Sequence, residues 1–154
     1  FMMFFVLFRN LTLSLIGIVP NFIAALFILG VIGLMNIPLD MMTITIAAIT
    51  IGIAVDNSIH YIYRFKEEFN KIKDYNATLD RCHNTVGVAI LNTSITIVFG
   101  FSILILSNFI PTIYFGIFTG LAMFLALVSV LTLLPKLILT FKPFGEEGNI
   151  LGER

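Results

Sequence analysis

The sequence predicts an all-α, polytopic membrane protein: a helical bundle of four full transmembrane spans and the end of a fifth. Of its 154 residues, 58% are hydrophobic and 12% are charged, and the mean hydropathy is +1.03. Soluble domains carry about twice that share of charge. Four stretches stay apolar over the roughly 20 residues that a bilayer requires. This composition therefore favours lipid as the solvent of the fold.

Each span is bounded by polar residues or by a short connection. Short connections make neighbouring spans antiparallel. Pro20 and Pro135 lie inside spans, so neighbouring helices must satisfy the carbonyls that these prolines free. The predicted spans cover residues 1–8 (partial), 11–35, 38–63, 84–106 and 112–140, within a transmembrane domain of residues 1–143 that is followed by a polar cytoplasmic tail of residues 144–154.

The basic residues predict the orientation. All nine lysines and arginines fall on one side of the predicted spans, and the two loops on the other side carry only Asp40. Basic residues concentrate in cytoplasmic loops. We therefore expect a multi-pass protein of the cytoplasmic (inner) membrane with a cytoplasmic C-terminus. Because the chain opens at Phe1 inside an apolar run, we also expect it to be a piece of a longer protein, whose remainder would be a partner.

A charged linker, residues 64–81, joins the third and fourth spans. Phe65, Phe69 and Ile72 recur at spacings of four and three, which is typical of one helical face. We expect a short amphipathic helix on the cytoplasmic membrane surface. Asn76 or Thr78 is predicted to cap the helix that follows.

The most informative polar residue is Asp56, which lies inside the third span. A carboxylate at membrane depth costs several kcal/mol unless it is paired, hydrated or protonated. Gly52, Asp56 and His60 recur every four residues and share one helical face, which we expect to point into the bundle. Matching depth along the antiparallel fourth span places Asn92 or Thr96 opposite Asp56 as supporting polar partners.

These residues suggest proton coupling through Asp56, His60 and the adjacent Asn57. No lysine or arginine lies at the same depth, which suits an acid that alternates between neutral and charged forms. An interhelical hydrogen bond is the alternative role for Asp56, and simple hydration is the alternative for His60. Cys82 and His83 have no recognised metal-ligand spacing with this pair, and no phosphate loop or nucleophile–base pair is present. We therefore predict no metal, no cofactor and no enzymatic activity.

Small residues predict where helices approach closely. Gly116 and Gly120 are four residues apart, and Gly52 belongs to a similar pair in the third span. Such pairs permit close helix packing. Packing within the chain is favoured over a homo-oligomer interface, which stays an alternative. The zero net charge and the apolar composition predict membrane lipids, and no nucleic acid, as partners.

Three separated motifs resemble one transporter superfamily. The first is similar to the fourth span of each half of resistance-nodulation-division (RND) transporters, and most similar to that of MMPL-like exporters. The other two are similar to the second-to-third-span region and to the last two spans of the same family. The motifs are "GIAVDNSIHYIYRFKEE", "FRNLTLSLIGIVPNFIAALFILGVIGLMNIPLD" and "AILNTSITIVFGFSILILSNFIPTIYFGIFTGLAMFLALVSVLTLLP", and the resemblance extends from Phe8 to about Pro143.

The resemblance implies a fold with six spans in each half and a large extracytoplasmic domain between the first two. This chain would be spans two to six of one half, and its polar tail favours the C-terminal half. In the family, the aspartate that matches Asp56 is implicated in proton coupling. MMPL-like members often carry Tyr where this chain has Asn57. The double Asp and intramembrane Lys of multidrug pumps are not found here.

The implied function is proton-driven export of apolar or lipid-like substrates. Two alternatives stay open: a lipid-binding regulatory domain of the sterol-sensing type, and an accessory subunit of the Sec translocase. The Sec subunit usually carries an acidic residue in the next span, and residues 84–106 contain none. The sensing domain would not require an acid that titrates.

Overall fold

The computed structural model describes residues 2–37 and 41–145, and these residues are almost entirely helical. Four helices are long and apolar enough to cross a membrane, which confirms the predicted class: Leu11–Leu34, Met41–Ile72, Tyr75–Leu106 and Ile110–Phe141. In full, the elements are α1 (Met2–Phe8), α2 (Leu11–Leu34), α3 (Met41–Ile72), α4 (Tyr75–Cys82), a first π segment (His83–Gly87), α5 (Val88–Ser102), a 3-10 turn (Ile103–Leu106), α6 (Ile110–Val128), a second π segment (Ser129–Leu133) and α7 (Leu134–Phe141).

Helices α2, α3 and α6 form the centre of the bundle. Ile28, Ile46 and Phe118 from these three helices are buried against one another in one apolar cluster. Helix α5 packs mainly against α6 and lies at the periphery. In the most apolar stretch of the Tyr75–Leu106 helix only 11% of the residues are buried, compared with 50% in the corresponding stretch of the Ile110–Phe141 helix. One side of α5 is therefore open beside α3.

The charged linker differs from its prediction. Helix α3 continues without a break from the apolar segment to Ile72, so the prediction of a separate helix within residues 64–81 is wrong. The residue at which the third span leaves the membrane, predicted at 63, stays a prediction. The chain turns at Lys73, which has a left-handed φ of 58°. Asp74 then caps α4, because its Oδ1 accepts from the amides of residues 76 and 77 at 2.8 and 3.0 Å. The predicted caps, Asn76 and Thr78, are thus replaced by Asp74.

An aromatic cluster closes the charged end of the bundle. The rings of Phe69 and Tyr75 lie 4.3 Å apart, and that of Phe144 lies 5.8 Å from Phe69. Tyr75 donates its hydroxyl proton to the carbonyl of Gly145 at 3.0 Å and accepts from the Phe144 amide at 3.1 Å. Phe144, the first residue of the predicted tail, therefore packs against the bundle, and Gly145 is hydrogen-bonded to it. The rest of the tail lies outside the described residues.

Neighbouring helices bond to the regions around both intraspan prolines. Ser129 donates its hydroxyl proton to the Pro20 carbonyl at 2.9 Å. His83 hydrogen-bonds through Nε2 to the Leu131 carbonyl at 3.2 Å. An α-helix would supply that carbonyl with the amide of residue 135, which proline lacks. The prediction that a neighbour compensates for the proline is confirmed at Pro135.

The glycines predicted to mediate packing have different surroundings. A Cβ added at Gly116 would lie 2.7 Å from the Phe101 carbonyl oxygen, so α5 and α6 approach closely there. At Gly120 the nearest such atom is the Val98 oxygen, at 4.0 Å. Within the part of the chain that the structure describes, no neighbouring atom lies within 4 Å of a Cβ added at Gly52. The role of Gly52 in helix packing stays a prediction.

Candidate functional site

The two sides of α3 differ in chemistry. Ala54, Ser58 and Tyr61 are fully buried on the side that packs into the bundle. Gly52, Asp56 and His60 occupy another side and are exposed. The prediction that the second set shares a face is confirmed, and the prediction that this face points into the bundle is wrong. The bundle instead takes up the small and apolar residues of the opposite face.

Asp56 and His60 form a pair one helical turn apart. His60 Nε2 lies 3.5 Å from Asp56 Oδ1, and their side chains are 67% and 68% exposed. The distance suits an ion pair when the imidazole is protonated, or a weak hydrogen bond when it is neutral. The two side chains can therefore interact across one turn of α3.

The pair lies at the edge of an open groove between α3 and the beginning of the α5 span. The groove has a volume of about 400 Å³. Asn57 also lines the groove. Only 7% of its surface is exposed, so this residue forms part of the groove wall. Arg64 lies at the charged end, one turn beyond His60. The remaining lining residues are Tyr63, Val86, Ala89, Ile90 and Thr93.

The opposite wall differs in register from the prediction. In the described ranges, neither Asn92 nor Thr96 hydrogen-bonds to Asp56, and the Thr96 hydroxyl donates to the Asn92 carbonyl at 2.9 Å. Thr93 lines the groove instead. Thr93 is the next residue after Asn92, and because a helix turns about 100° per residue it presents its side chain in a different direction. A supporting role for Asn92 and Thr96 stays a prediction.

Two buried polar contacts of α3 were missed by sequence reasoning. The first joins α3 to α2: Asn21 Nδ2 donates to Ser58 Oγ at 3.0 Å, and Ser58 Oγ donates back to Asn21 Oδ1 at 3.2 Å. The second joins Tyr61 Oη to His83 Nδ1 at 3.0 Å. An asparagine directly after an intraspan proline was the available signal for the first contact. Together these contacts fix the rotation of α3, and so the direction of Asp56.

No group of three metal-ligating side chains comes together among residues 2–37 and 41–145. His83 is occupied by hydrogen bonds from both ring nitrogens, to Tyr61 and to the Leu131 carbonyl. Cys82 beside it is fully buried. The described site contains one carboxylate, one imidazole and neighbouring hydroxyl and amide groups.

Comparison with known proteins gives the family. The model of the MMPL family matches residues 1–149. The chain belongs to the MMPL family. Its predicted resemblance to MMPL-like members of the RND superfamily is thereby confirmed. The chain is an integral membrane protein that crosses the membrane several times.

Three curated relatives cover most of this chain. The "Putative membrane protein MJ1562" of Methanocaldococcus jannaschii is 34% identical over 131 residues, which are 85% of this chain and 34% of that protein. The "Hopanoid transporter HpnN" of Burkholderia multivorans is 32% identical over 115 residues, 70% of this chain and 12% of that protein. HpnN of Rhodopseudomonas palustris is 27% identical over 137 residues, 85% of this chain and 15% of that protein. The chain thus spans about a third or less of these relatives. No solved structure matches it.

Proposed function

We propose that this chain is the membrane domain of an RND-type exporter that is driven by the proton-motive force and moves apolar or lipid-like substrates. The observation that carries the proposal is the Asp56–His60 pair in the predicted membrane-spanning part of α3. The MMPL membership supports the transporter class. The description of two relatives as hopanoid transporters supports a lipid-like substrate.

The mechanism follows from the cost of charge in a membrane. An aspartate charge at the centre of a span costs about 2.5–3.5 kcal/mol on insertion scales. Protonation of Asp56 removes that cost and lets neighbouring helices repack, and release of the proton restores it. His60 lies one turn closer to the charged end of α3. In this mechanism Asp56 is the proton carrier, His60 and water link it to the cytoplasm, and the Asn57 amide stabilises the groove wall.

The exposed position of the Asp56–His60 pair also indicates that another part of the protein covers this face. Asn92, Thr93 and Thr96 are exposed on α5, beside the groove that contains Asp56. Polar side chains at membrane depth usually face protein or a water-filled cavity. We therefore propose that the remainder of the same transporter covers this face, and that membrane lipids cover the apolar outer faces. A second copy of the chain is the alternative cover.

Substitution of the acid tests the carrier role. In the full-length protein, Asp56→Asn keeps the shape of the side chain but cannot titrate, so membrane insertion should persist while proton-driven export of a fluorescent lipid analogue from proteoliposomes is lost. His60→Ala should slow export or shift its pH dependence, because water can replace a relay near the membrane surface. Asp80→Asn, on the exposed side of α4, is the matched control and should export normally.

Near-normal proton-dependent export by Asp56→Asn would rule out the carrier role. Retained lipid binding without export in the unmodified protein would favour the sterol-sensing alternative. Dependence of protein secretion, rather than lipid export, on this chain would favour the Sec alternative.

The orientation has a separate test. Cysteines introduced as Asn36→Cys and Asn108→Cys should react with an impermeant thiol reagent from outside the cell, and Lys73→Cys should not. The native Cys82 is fully buried and can remain. External labelling of Lys73→Cys would overturn both the orientation and the proposed cytoplasmic C-terminus.

A further inference from the structure

A hydrogen-bonded chain on the buried side of α3 reaches the last helix. Tyr61, with no exposed surface, lies with its Oη 3.0 Å from His83 Nδ1, and the two rings meet edge to face. His83 Nε2 lies 3.2 Å from the Leu131 carbonyl oxygen. Three separate helical elements are therefore joined through one imidazole.

The direction of each hydrogen bond follows from the chemistry of the groups. A carbonyl oxygen can only accept, so His83 Nε2 carries a proton and donates it to Leu131. In the neutral ring Nδ1 is then an acceptor, and Tyr61 donates its hydroxyl proton to it. Because Pro135 withholds the amide that would otherwise serve Leu131, the imidazole replaces a missing backbone donor.

The last helix is irregular where His83 contacts it. Leu131 lies in the second π segment, Ser129–Leu133, directly before Pro135. π segments and prolines are two of the recognised sites at which helices bend. Neighbours hold this segment at two points: Ser129 bonds to α2 through the Pro20 carbonyl, and Leu131 bonds to His83.

The first π segment packs against the second. His83 opens the first segment, His83–Gly87. A Cβ added at Gly87 would be in ordinary contact with Leu131 Cδ2, at 3.7 Å. Two widened helical turns thus lie side by side, and the imidazole connects them.

We propose that His83 is a positioning residue that couples α3 to a hinge in the last helix, at Ser129–Leu133. Tyr61 directly follows His60 in α3, so displacement of α3 would pull on the imidazole and alter its bond to Leu131. That the displacement begins at Asp56 rests on the proposed function. The role of His83 in setting the bend of the last helix is independent of the proposed function.

The bend can be measured without transport. In the full-length protein, spin labels at Ile117→Cys on α6 and Phe141→Cys on α7 flank the hinge at exposed positions. A regular helix would separate these residues by about 36 Å, within the range of pulsed dipolar spectroscopy. Tyr61→Phe and His83→Ala should each shift or broaden the measured distance distribution. Tyr114→Phe, an exposed tyrosine on α6, is the matched control and should leave it unchanged.

Two further variants separate coupling from simple loss of packing. His83→Gln can donate and accept at a similar reach, so its distance distribution should resemble that of the unmodified protein. Pro135→Ala returns an amide donor to Leu131, so His83→Ala should have a much smaller effect in that background. In transport, Tyr61→Phe should reduce export by about tenfold, the equivalent of one hydrogen bond of moderate strength.

Unchanged distance distributions in Tyr61→Phe and His83→Ala would overturn the proposal. An undiminished effect of His83→Ala in the Pro135→Ala background would also overturn it. If Asp56→Asn exports normally, the proposed proton carrier fails, whereas the distance measurements still decide the role of His83.

Discussion

Replacement of Gly116 by alanine is expected to disturb the packing of α5 against α6. A Cβ at this position would lie 2.7 Å from the Phe101 carbonyl oxygen and 2.9 Å from Leu104 Cβ. Real Cβ contacts are essentially never shorter than 3.0 Å. The first neighbour is backbone and the second is fixed to backbone, so no flexible side chain can move aside. The two helices must separate to admit the methyl group.

The magnitude follows from measured overpacking costs. Inserting a methyl group into a packed interior typically costs about 1–3 kcal/mol. The gain in helix propensity from Gly to Ala is at most about 1 kcal/mol and offsets part of that cost. With that offset, we expect a net loss of up to about 2 kcal/mol in the free energy of unfolding. For a chain of this size, each 1 kcal/mol of lost stability lowers the midpoint temperature of thermal unfolding by roughly 2–4 °C.

Gly120 provides the matched control one turn away on the same helix. Its added Cβ would lie 4.0 Å from the Val98 oxygen, so Gly120→Ala should be neutral or slightly stabilising. Thermal unfolding of both variants in the same detergent, followed by circular dichroism, measures the difference. Equal midpoints for the two variants would refute the reasoning from close approach.

The remaining predictions concern buried polar contacts. Asn21→Ala removes both interhelical bonds to Ser58. The variant should lower the free energy of unfolding by about 0.6–1.7 kcal/mol, from the average to the maximum measured for such bonds in membranes; thermal unfolding tests this, and an unchanged stability would contradict it. Glu68, with 7% of its side chain exposed, lies 3.1–3.8 Å from three cationic side chains. Glu68→Gln should lower the free energy of unfolding by about 1.5–3 kcal/mol. The exposed neighbour Glu67 should tolerate the same change. A larger loss in Glu67→Gln than in Glu68→Gln would show that burial does not set the cost.

Hydropathy predicted the four long apolar helices, because it averages over a length similar to the bilayer thickness. It could not locate the end of α3. The charged residues after Tyr63 mark the exit from the apolar segment, but Lys, Glu and Arg form helices as readily as Leu does. The helix ends where the chain adopts a left-handed turn at Lys73 and Asp74 offers a cap.

The direction of Asp56 was beyond sequence reasoning for a different reason. Spacing shows which residues share a face, but not which face the bundle covers. The sequence offers two candidates on α3: one with Gly52, Asp56 and His60, and one with Ala54 and Ser58. Small residues occur on both. The second face is buried because Ser58 finds a polar partner on α2, whereas no described side chain reaches Asp56 across the groove.

The contact between His83 and Leu131 could not be read from side chains at all. Its acceptor is a backbone carbonyl, which every residue has, and only Pro135 indicates that this carbonyl lacks its usual donor. The proline predicted that some neighbour would compensate. It did not predict which neighbour, because that depends on how the second π segment packs against the first.

The polar contacts of α3 constrain how a proton could move it. The Asn21–Ser58 pair binds α3 to α2, and the Tyr61–His83 bond ties it to the start of the α5 span. Rotation of α3 about its axis would break both contacts at once and leave buried polar groups unpaired. Movement of α3 together with its partners would break neither. We therefore expect a change of charge at Asp56 to displace α2, α3 and the first π segment as a unit, with the bend at the second π segment accommodating the shift.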